Sequence, residues 1–113
     1  LKIIEIKKDW QDINIDTNWA KHIYENINYP DSAIYQNVEG NVYAQFKVTS
    51  KGNIIEAKIF RNLYPEIDKI VLKTLESMPN WDLSYIKQRY PLEIEKYYPM
   101  KYILPIRFRL ERR

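Results

Sequence analysis

Apolar and polar residues alternate along two neighbouring stretches in the middle of the chain. In residues 42–49 the apolar side carries Val42, Ala44, Phe46 and Val48, and the other side carries Tyr43, Gln45, Lys47 and Thr49. In residues 55–60 the side with Ile55, Ala57 and Ile59 opposes the side with Glu56, Lys58 and Phe60. Because successive side chains of a strand point to opposite faces, each stretch predicts a strand with one buried face.

The two glycines of the chain, Gly40 and Gly52, mark the ends of the first of these strands. Residues 50–53 are typical of a hairpin turn, in which Gly52 supplies the positive φ that such connections need. Gly40 stands just before the strand, where a sharp bend or a close backbone approach excludes a Cβ. The two strands are therefore predicted to form an antiparallel hairpin.

The same alternation returns in residues 102–110. One side carries Tyr102, Leu104, Ile106, Phe108 and Leu110, and the other carries Ile103, Pro105, Arg107 and Arg109. Proline has no N–H to give to a ladder, so Pro105 favours a strand at a sheet edge or at a bulge. We expect this strand to pair beside the first hairpin strand and to leave its other row of backbone groups open.

Helical periodicity marks the segments between these strands. Thr17 is a plausible N-cap for a helix over residues 17–27, whose apolar positions Trp19, Ile23 and Ile27 share one face. Pro30 ends that helix and opens a short one over residues 31–36. Residues 65–78 form the main helix, and its apolar stripe is Ile67, Ile70, Val71, Leu75 and Met78.

These elements predict an α+β fold with a three-stranded antiparallel sheet in the order 2-1-3 and helices on one face. Residues 17–113 make up the domain, and residues 1–16 are an N-terminal extension or tether. Within that extension, residues 1–10 fit a short strand or a packed tether, and residues 11–16 are polar and turn-prone. Residues 82–100 are rich in tyrosine and lack glycine, with a helical segment expected near residues 83–89.

Composition limits the range of functions. The chain has 113 residues, which fits one domain, with 45% hydrophobic, 29% charged and 14% aromatic residues. The formal net charge of +3 is too small to imply a polyanionic partner unless the bases cluster. Cysteine is absent, which excludes disulfides, thiolate metal sites and thiol nucleophiles. No apolar run approaches the roughly 20 residues that cross a bilayer, and we expect a targeting or anchoring segment upstream of Leu1.

Candidate catalytic residues are sparse. His22 is the only histidine, and its helical position favours a solvated or half-buried side chain over catalysis or metal binding. Glu93 and Glu95 alternate with Ile94 and fit one face of a strand, but the basic residues around them favour a solvated surface. Two glycines cannot build a phosphate-binding loop. No catalytic, cofactor-binding or metal site is expected.

Basic residues gather at the C-terminus, at Arg107, Arg109, Arg112 and Arg113, with Tyr98 and Tyr102 nearby. Basic grooves with stacking aromatics are typical of nucleic-acid binding. Alternatively, Arg107 and Arg109 only alternate on the outer face of a strand and blunt its open edge against aggregation. A third interpretation keeps that edge available for an extended peptide.

Five segments together resemble the C-terminal domain of TonB proteins. They are INYPDSA (27–33), EGNVYAQFKV (39–48), KGNIIEAKIFR (51–61), ESMPNW (76–81) and LPIRFRL (104–110). The order of the segments matches the family over about residues 19–110. Residues 82–104 form a longer connection than is usual there and lack its glycines. Of the family's Leu-Asp-x-x-Ala pattern, only the apolar–Asp pair Ile67-Asp68 is kept.

The resemblance implies a periplasmic domain of a Gram-negative energy transducer that binds the TonB box of outer-membrane receptors. An inner-membrane anchor, absent from this chain, would connect the domain to proton-channel partners. The partner strand would add to the edge of the last strand, which favours the peptide interpretation over the other two. The predicted partner-binding residues are Lys101, Tyr102, Ile103, Leu104, Ile106, Arg107, Phe108 and Arg109.

Two alternatives to a transducer remain at this point. One is a TonB-like interaction module on another envelope protein, such as a membrane sensor. The other is a small basic nucleic-acid-binding domain, although no nucleic-acid partner is expected under the preferred interpretation. An edge strand also invites a strand-exchanged homodimer.

Overall fold

A computed structural model of the chain describes residues 2–6 and 17–111. The elements are β1 (Lys2–Ile6), α1 (Thr17–Asn26), α2 (Asp31–Tyr35), β2 (Gly40–Val48), β3 (Ile54–Arg61), α3 (Pro65–Glu76), α4 (Ser84–Arg89), α5 (Pro91–Tyr97) and β4 (Met100–Leu110). The predictions for residues 11–16, for the side chains of Thr17 and Trp19, and for Arg112 and Arg113 lie outside the described residues.

The sheet has the strand order β1-β4-β2-β3, and every neighbouring pair is antiparallel. The predicted α+β fold and the predicted order of its three strands, β3-β2-β4, are confirmed. Residues 2–6 add a fourth strand beside β4. Of the two interpretations that the sequence left for this segment, the structure therefore has the strand.

The core lies on one face of the sheet, under the helices. β2 contributes the four apolar residues that the alternation predicted, and β4 contributes Tyr102, Leu104, Ile106 and Phe108, all of them buried. Ile23 and Ile27 at α1, and Ile67, Val71 and Leu75 of α3, cover them. The predicted helix stripes thus face the predicted strand faces, which places the inner face of β4 in the core.

β3 departs from the alternation that its sequence predicts. The register against β2 shifts twice, between Tyr43 and Ala44 and between Gln45 and Lys47, and each shift leaves one extra residue on β3. Within the second bulge Glu56 has a φ of 53°, and its parity change leaves Ile55 exposed. The prediction that Ile55 faces the core is therefore wrong, and Ile54 packs against the core instead.

Gly52 meets two separate requirements. Its φ of +88° is one that side-chain-bearing residues rarely adopt. An added Cβ would also lie 2.2 Å from the Trp81 carbonyl oxygen, because Trp81 N–H donates to the Gly52 carbonyl at 2.8 Å. At Gly40, with a φ of +144°, an added Cβ would lie 2.9 Å from Leu63 Cδ1. The hairpin turn is thus tied to the segment that follows α3.

Asp68 organises the start of α3. Its Oδ1 accepts hydrogen bonds from the backbone N–H of Leu63 at 3.0 Å and of Tyr64 at 3.4 Å, and its Oδ2 accepts one from Asn62 Nδ2 at 2.9 Å. The N-cap residue of α3, Tyr64, has no side-chain cap of its own. Asp68 therefore reaches back across the first turn and accepts from the N–H of the N-cap residue and of the residue before it.

We expect Asp68→Ala to lower the free energy of unfolding by about 1–2 kcal/mol, because it leaves these backbone donors without their acceptor. Asp68→Asn keeps one carbonyl oxygen for Leu63 and should lose less. Chemical denaturation of the three proteins measures the difference. Equal stability of the alanine variant and the parent would show that water replaces the carboxylate at no cost.

The segment between Trp81 and Met100 is helical. α4 matches the predicted helical segment, and Asp82 precedes it with a carboxylate that accepts from both the hydroxyl and the N–H of Ser84. These two bonds, led by the one from the hydroxyl, lower the pKa of Asp82. The strand placement of Glu93 and Glu95 is wrong, because Pro91 opens α5 instead and both residues lie exposed on that helix.

Candidate peptide-binding edge

β4 forms a regular ladder with β2. Nine successive residue pairs, from Gly40 opposite Phe108 to Val48 opposite Met100, run without a register shift. A strand with such a register is straight enough to offer a continuous row of backbone groups on its other side. We call that side, away from β2, the outer edge of β4.

β1 occupies part of the outer edge. Its register places Lys2 opposite Leu110 and Ile6 opposite Ile106, so five residues of β4 have β1 as a second neighbour. The prediction that the whole outer row is open is therefore wrong for residues 106–110. The register also sets Ile4 opposite Phe108, and Ile4 packs against the core. Along Met100–Pro105 no described residue pairs with this edge.

The direction of the backbone groups follows from the C-terminal end of β4. The Leu110 N–H donates to Glu39 Oε1 at 2.7 Å, and Glu39 directly precedes β2. The backbone groups of Leu110 therefore point to the β2 side. Because these groups alternate along a strand, the outer edge receives those of Lys101, Ile103, Pro105, Arg107 and Arg109.

Pro105 belongs to this outward set, although the sequence-based site omitted it. Its nitrogen carries no hydrogen, so it offers the outer edge only its carbonyl oxygen. The β1 ladder ends at Ile106, the residue next to it. At Pro105, β4 thus has a described neighbour on one side only. Such a position tolerates a residue without an N–H.

The eight predicted partner-binding residues divide into two groups. Tyr102, Leu104, Ile106 and Phe108 have buried side chains, and their backbone groups point to β2. Lys101, Ile103, Arg107 and Arg109 lie on the solvent face, and their backbone groups point to the outer edge. Only the second group is placed for direct contact with an added strand, whereas the first holds the strand in position.

Tyr102 anchors β4 through an aromatic cluster. Its ring lies 4.7 Å from the ring of Trp81 and 5.9 Å from that of Phe46, measured between centroids. The rings of Phe46 and Trp81 are 6.0 Å apart and nearly perpendicular. Aromatic pairs at these distances add stabilisation beyond the area that they bury. The half of β4 without a described outer neighbour is therefore anchored by this aromatic cluster.

The solvent face beside the edge is basic. Lys101 stands opposite Lys47 in the β2–β4 register, and Arg107 and Arg109 follow on the same face. Lys47 forms an ion pair with Glu56 of β3 at 3.0 Å. Such a face attracts acidic groups, and the attraction between exposed charges weakens as salt rises.

The opposite edge of the sheet is formed by β3 and differs in geometry. Its two bulges break the row of backbone groups and increase the local twist. Bulges and charges such as Glu56, Lys58 and Arg61 are the usual protection of an edge strand against pairing. Of the two sides of the sheet, β4 is therefore the better template for another segment.

Other candidate sites find no geometric support in the described part of the chain. His22 lies exposed on α1, and no group of metal-ligating side chains occurs among residues 2–6 and 17–111. Within those same residues no helix is long and apolar enough to cross a membrane. Of the four C-terminal arginines, the described pair, Arg107 and Arg109, lies side by side on the outer face of one strand.

Exposed large apolar side chains on and between α4 and α5 were not predicted. They are Tyr85, Tyr90, Leu92 and Tyr97, and Leu92 is 84% exposed. Arg89 lies over the ring of Tyr90 at 5.8 Å, and Lys96 over that of Tyr97 at 5.5 Å. In the sequence, only the many tyrosines of residues 82–100 indicated these exposed side chains. α5 buries a single residue, Ile94, so it has no apolar stripe that would predict a helix.

Comparison with known proteins agrees with this geometry. A family model described as Gram-negative bacterial TonB protein C-terminal matches residues 25–110. No curated protein and no solved structure matches the chain. The match covers α2, α3, the β2–β3 hairpin and β4, which together form the predicted core of the fold. The chain therefore belongs to the TonB C-terminal family, whose members are non-enzymatic periplasmic domains of TonB-type energy transducers.

Proposed function

We propose that this domain binds the TonB box of an outer-membrane receptor by adding the receptor segment as a strand to the outer edge of β4. The observation that carries the proposal is the edge itself. β4 keeps an unbroken register with β2 over nine successive residue pairs, and β1 already pairs with part of its other side. An edge that accepts one antiparallel segment has the geometry to accept another.

The contacts of the added strand follow from the alternation along β4. The backbone groups of Lys101 and Ile103 and the carbonyl of Pro105 point to the side where the strand would add. Those of Arg107 and Arg109 point the same way, and β1 pairs with both residues. Arg107 and Lys101 are exposed and would attract acidic residues that flank the bound segment. The side chains of Ile106 and Phe108 are buried and would act only by holding the strand in place.

A strand added here suits force transmission. Ladder hydrogen bonds lie perpendicular to the strands, so a pull along the receptor segment loads several bonds together in shear. β4 passes that load directly to β2 through nine residue pairs. The domain would then work by binding and pulling, without chemistry of its own.

The wider assembly is also part of the proposal. Residues 17–113 form the receptor-binding domain, and residues 1–16 are an N-terminal extension whose residues 2–6 pair with the domain as β1. An upstream segment anchors the protein in the inner membrane and joins it to proton-channel partners. A homodimer, if formed, uses the same edge of β4 and competes with the receptor.

Titration of extended peptides from receptor N-termini against isotope-labelled protein tests the site. We expect the amide signals of Lys101, Ile103, Arg107 and Arg109 to shift, with weaker binding at high salt. Absence of shifts on β4, together with tight salt-sensitive binding of single-stranded oligonucleotides, would overturn the proposal.

The variant Ile103→Pro tests the outer edge directly. The N–H of Ile103 points to that edge, so replacing it with proline removes one outward donor and keeps the hydrogen bonds between β4 and β2. We expect the variant to bind the peptide about five- to tenfold more weakly, because one hydrogen bond contributes about 1 kcal/mol. Ile103→Val keeps the N–H and serves as the matched control. Equal affinities for all three proteins would exclude the outer edge as the docking strand.

A further inference from the structure

The segment that pairs with β4 comes from the same chain. β1 covers residues 106–110 of β4, and these include Arg107 and Arg109, two of the four residues best placed to contact an added strand. A receptor segment bound along all of β4 and β1 bound to its C-terminal half exclude each other, because one edge accommodates one neighbour. Binding of a full-length partner strand therefore requires β1 to leave.

We propose that β1 is an intramolecular competitor that occupies the partner edge of β4 until a partner strand displaces it. This inference rests on the proposed function, since it assumes that the partner adds to β4. The apparent affinity of the intact protein is then lower than that of the exposed edge. The apparent affinity equals the affinity of the exposed edge multiplied by the fraction of molecules in which β1 is detached.

β1 has the properties of a replaceable segment. It is five residues long, against eleven for β4, so its ladder is short. Ile4 stands opposite Phe108 and is only partly buried, although it packs against the core. A short strand binds weakly as a separate peptide. β1 ends at Ile6 and α1 begins at Thr17, so ten residues tether it, and a short tether gives an effective concentration on the order of millimolar.

The register of β1 also indicates what the edge accepts. Ile4 is opposite the buried Phe108, and Glu5 is opposite the exposed Arg107. A competing partner strand would therefore place an apolar residue on the core side and an acidic residue across from Arg107. A partner with this pattern replaces both features of β1 at once, whereas one with two basic residues at these positions replaces neither.

A reversible lock tests the competition. The chain contains no cysteine, so the double variant Glu5→Cys with Arg107→Cys offers a single possible disulfide between register partners. We expect the oxidised protein to bind a receptor peptide at least about tenfold more weakly than the same protein after reduction. Equal affinity in both states would overturn the proposal, as would failure of the disulfide to form under oxidising conditions.

The opposite change releases β1. Ile4→Asp places a charge on the core side of β1, and we expect it to tighten binding of the same peptide by about tenfold. Ile55→Asp is the matched control, because it makes the same chemical change on the exposed part of β3, at the far side of the sheet. Unchanged affinity in the Ile4 variant, with its amide spectrum showing β1 detached, would contradict the competition.

A synthetic peptide with the sequence of residues 1–8 separates this inference from the proposed function. Added to the Ile4→Asp protein, it should shift the amides of residues 106–110, and it should leave the oxidised lock unaffected. If this peptide binds and receptor peptides do not, the β4 edge accepts β1 but the proposed receptor function fails. If receptor peptides bind parent and Ile4→Asp protein equally, the receptor function stands and the competition fails.

Discussion

Phe46→Ala is expected to lower the free energy of unfolding by about 3–5 kcal/mol. Phe46 is fully buried at the centre of β2, and its ring contacts those of Trp81 and Tyr102. Alanine removes the burial and leaves a cavity that two large rings cannot collapse to fill. Denaturation in urea, followed by tryptophan fluorescence and circular dichroism, measures the loss.

Phe60→Ala is the matched control for this variant. It makes the same change on the neighbouring strand, β3, where Phe60 is 54% exposed. We expect a loss of less than about 0.5 kcal/mol, as is usual for surface substitutions. Similar losses for the two variants would mean that the aromatic cluster contributes no more than an exposed ring. Because Tyr102 lies in the cluster, Phe46→Ala should also weaken peptide binding at the adjoining half of β4.

Gly52→Ala is expected to cost about 3 kcal/mol or more, for two reasons that add. A φ of +88° is strained for alanine, and the new Cβ would lie 2.2 Å from the Trp81 carbonyl oxygen. Since that oxygen belongs to the backbone, no side-chain rotation relieves the contact. The turn or the segment at Trp81 must move, and the hydrogen bond from Trp81 N–H to the Gly52 carbonyl is lost with it.

Thermal and chemical denaturation of Gly52→Ala measures this cost against Lys51→Ala, an exposed neighbour in the same turn. The lysine variant should stay within about 0.5 kcal/mol of the parent. Were the glycine variant equally stable, neither the positive φ nor the contact with Trp81 would constrain the fold.

The fold was predictable from the sequence where residues repeat with a regular period. The alternation at Val42–Val48 and at Tyr102–Phe108 gave the two central strands and their buried faces, and the stripe of residues 65–78 gave α3. The prediction failed on β3, where bulges interrupt the pairing although the sequence keeps its period. A bulge adds one residue at Glu56 and reverses the parity, so Ile55 turned outward although its sequence pattern continues unchanged.

The candidate site was predicted in part, for a related reason. Pro105 and the alternation identified β4 as a strand with a second available side. They carried no information on what lies beside it, because the partner of a strand is chosen by segments far away in the chain. The KIIEI segment is compatible with a strand, yet nothing in five residues specifies pairing with Leu110 and its neighbours, about a hundred positions later. The sequence did not predict α5, because a helix with one buried residue, Ile94, shows no apolar periodicity.

The end of the β1 ladder beside Pro105 has a kinetic consequence. An incoming segment can pair first with Lys101 and Ile103, where no described strand lies alongside, and then advance past the proline as β1 is released one residue at a time. Exchange by such stepwise invasion never requires the whole edge to be bare. The exchange rate would depend on the first pairing at Lys101 and Ile103 rather than on spontaneous release of β1. It should therefore rise with partner concentration.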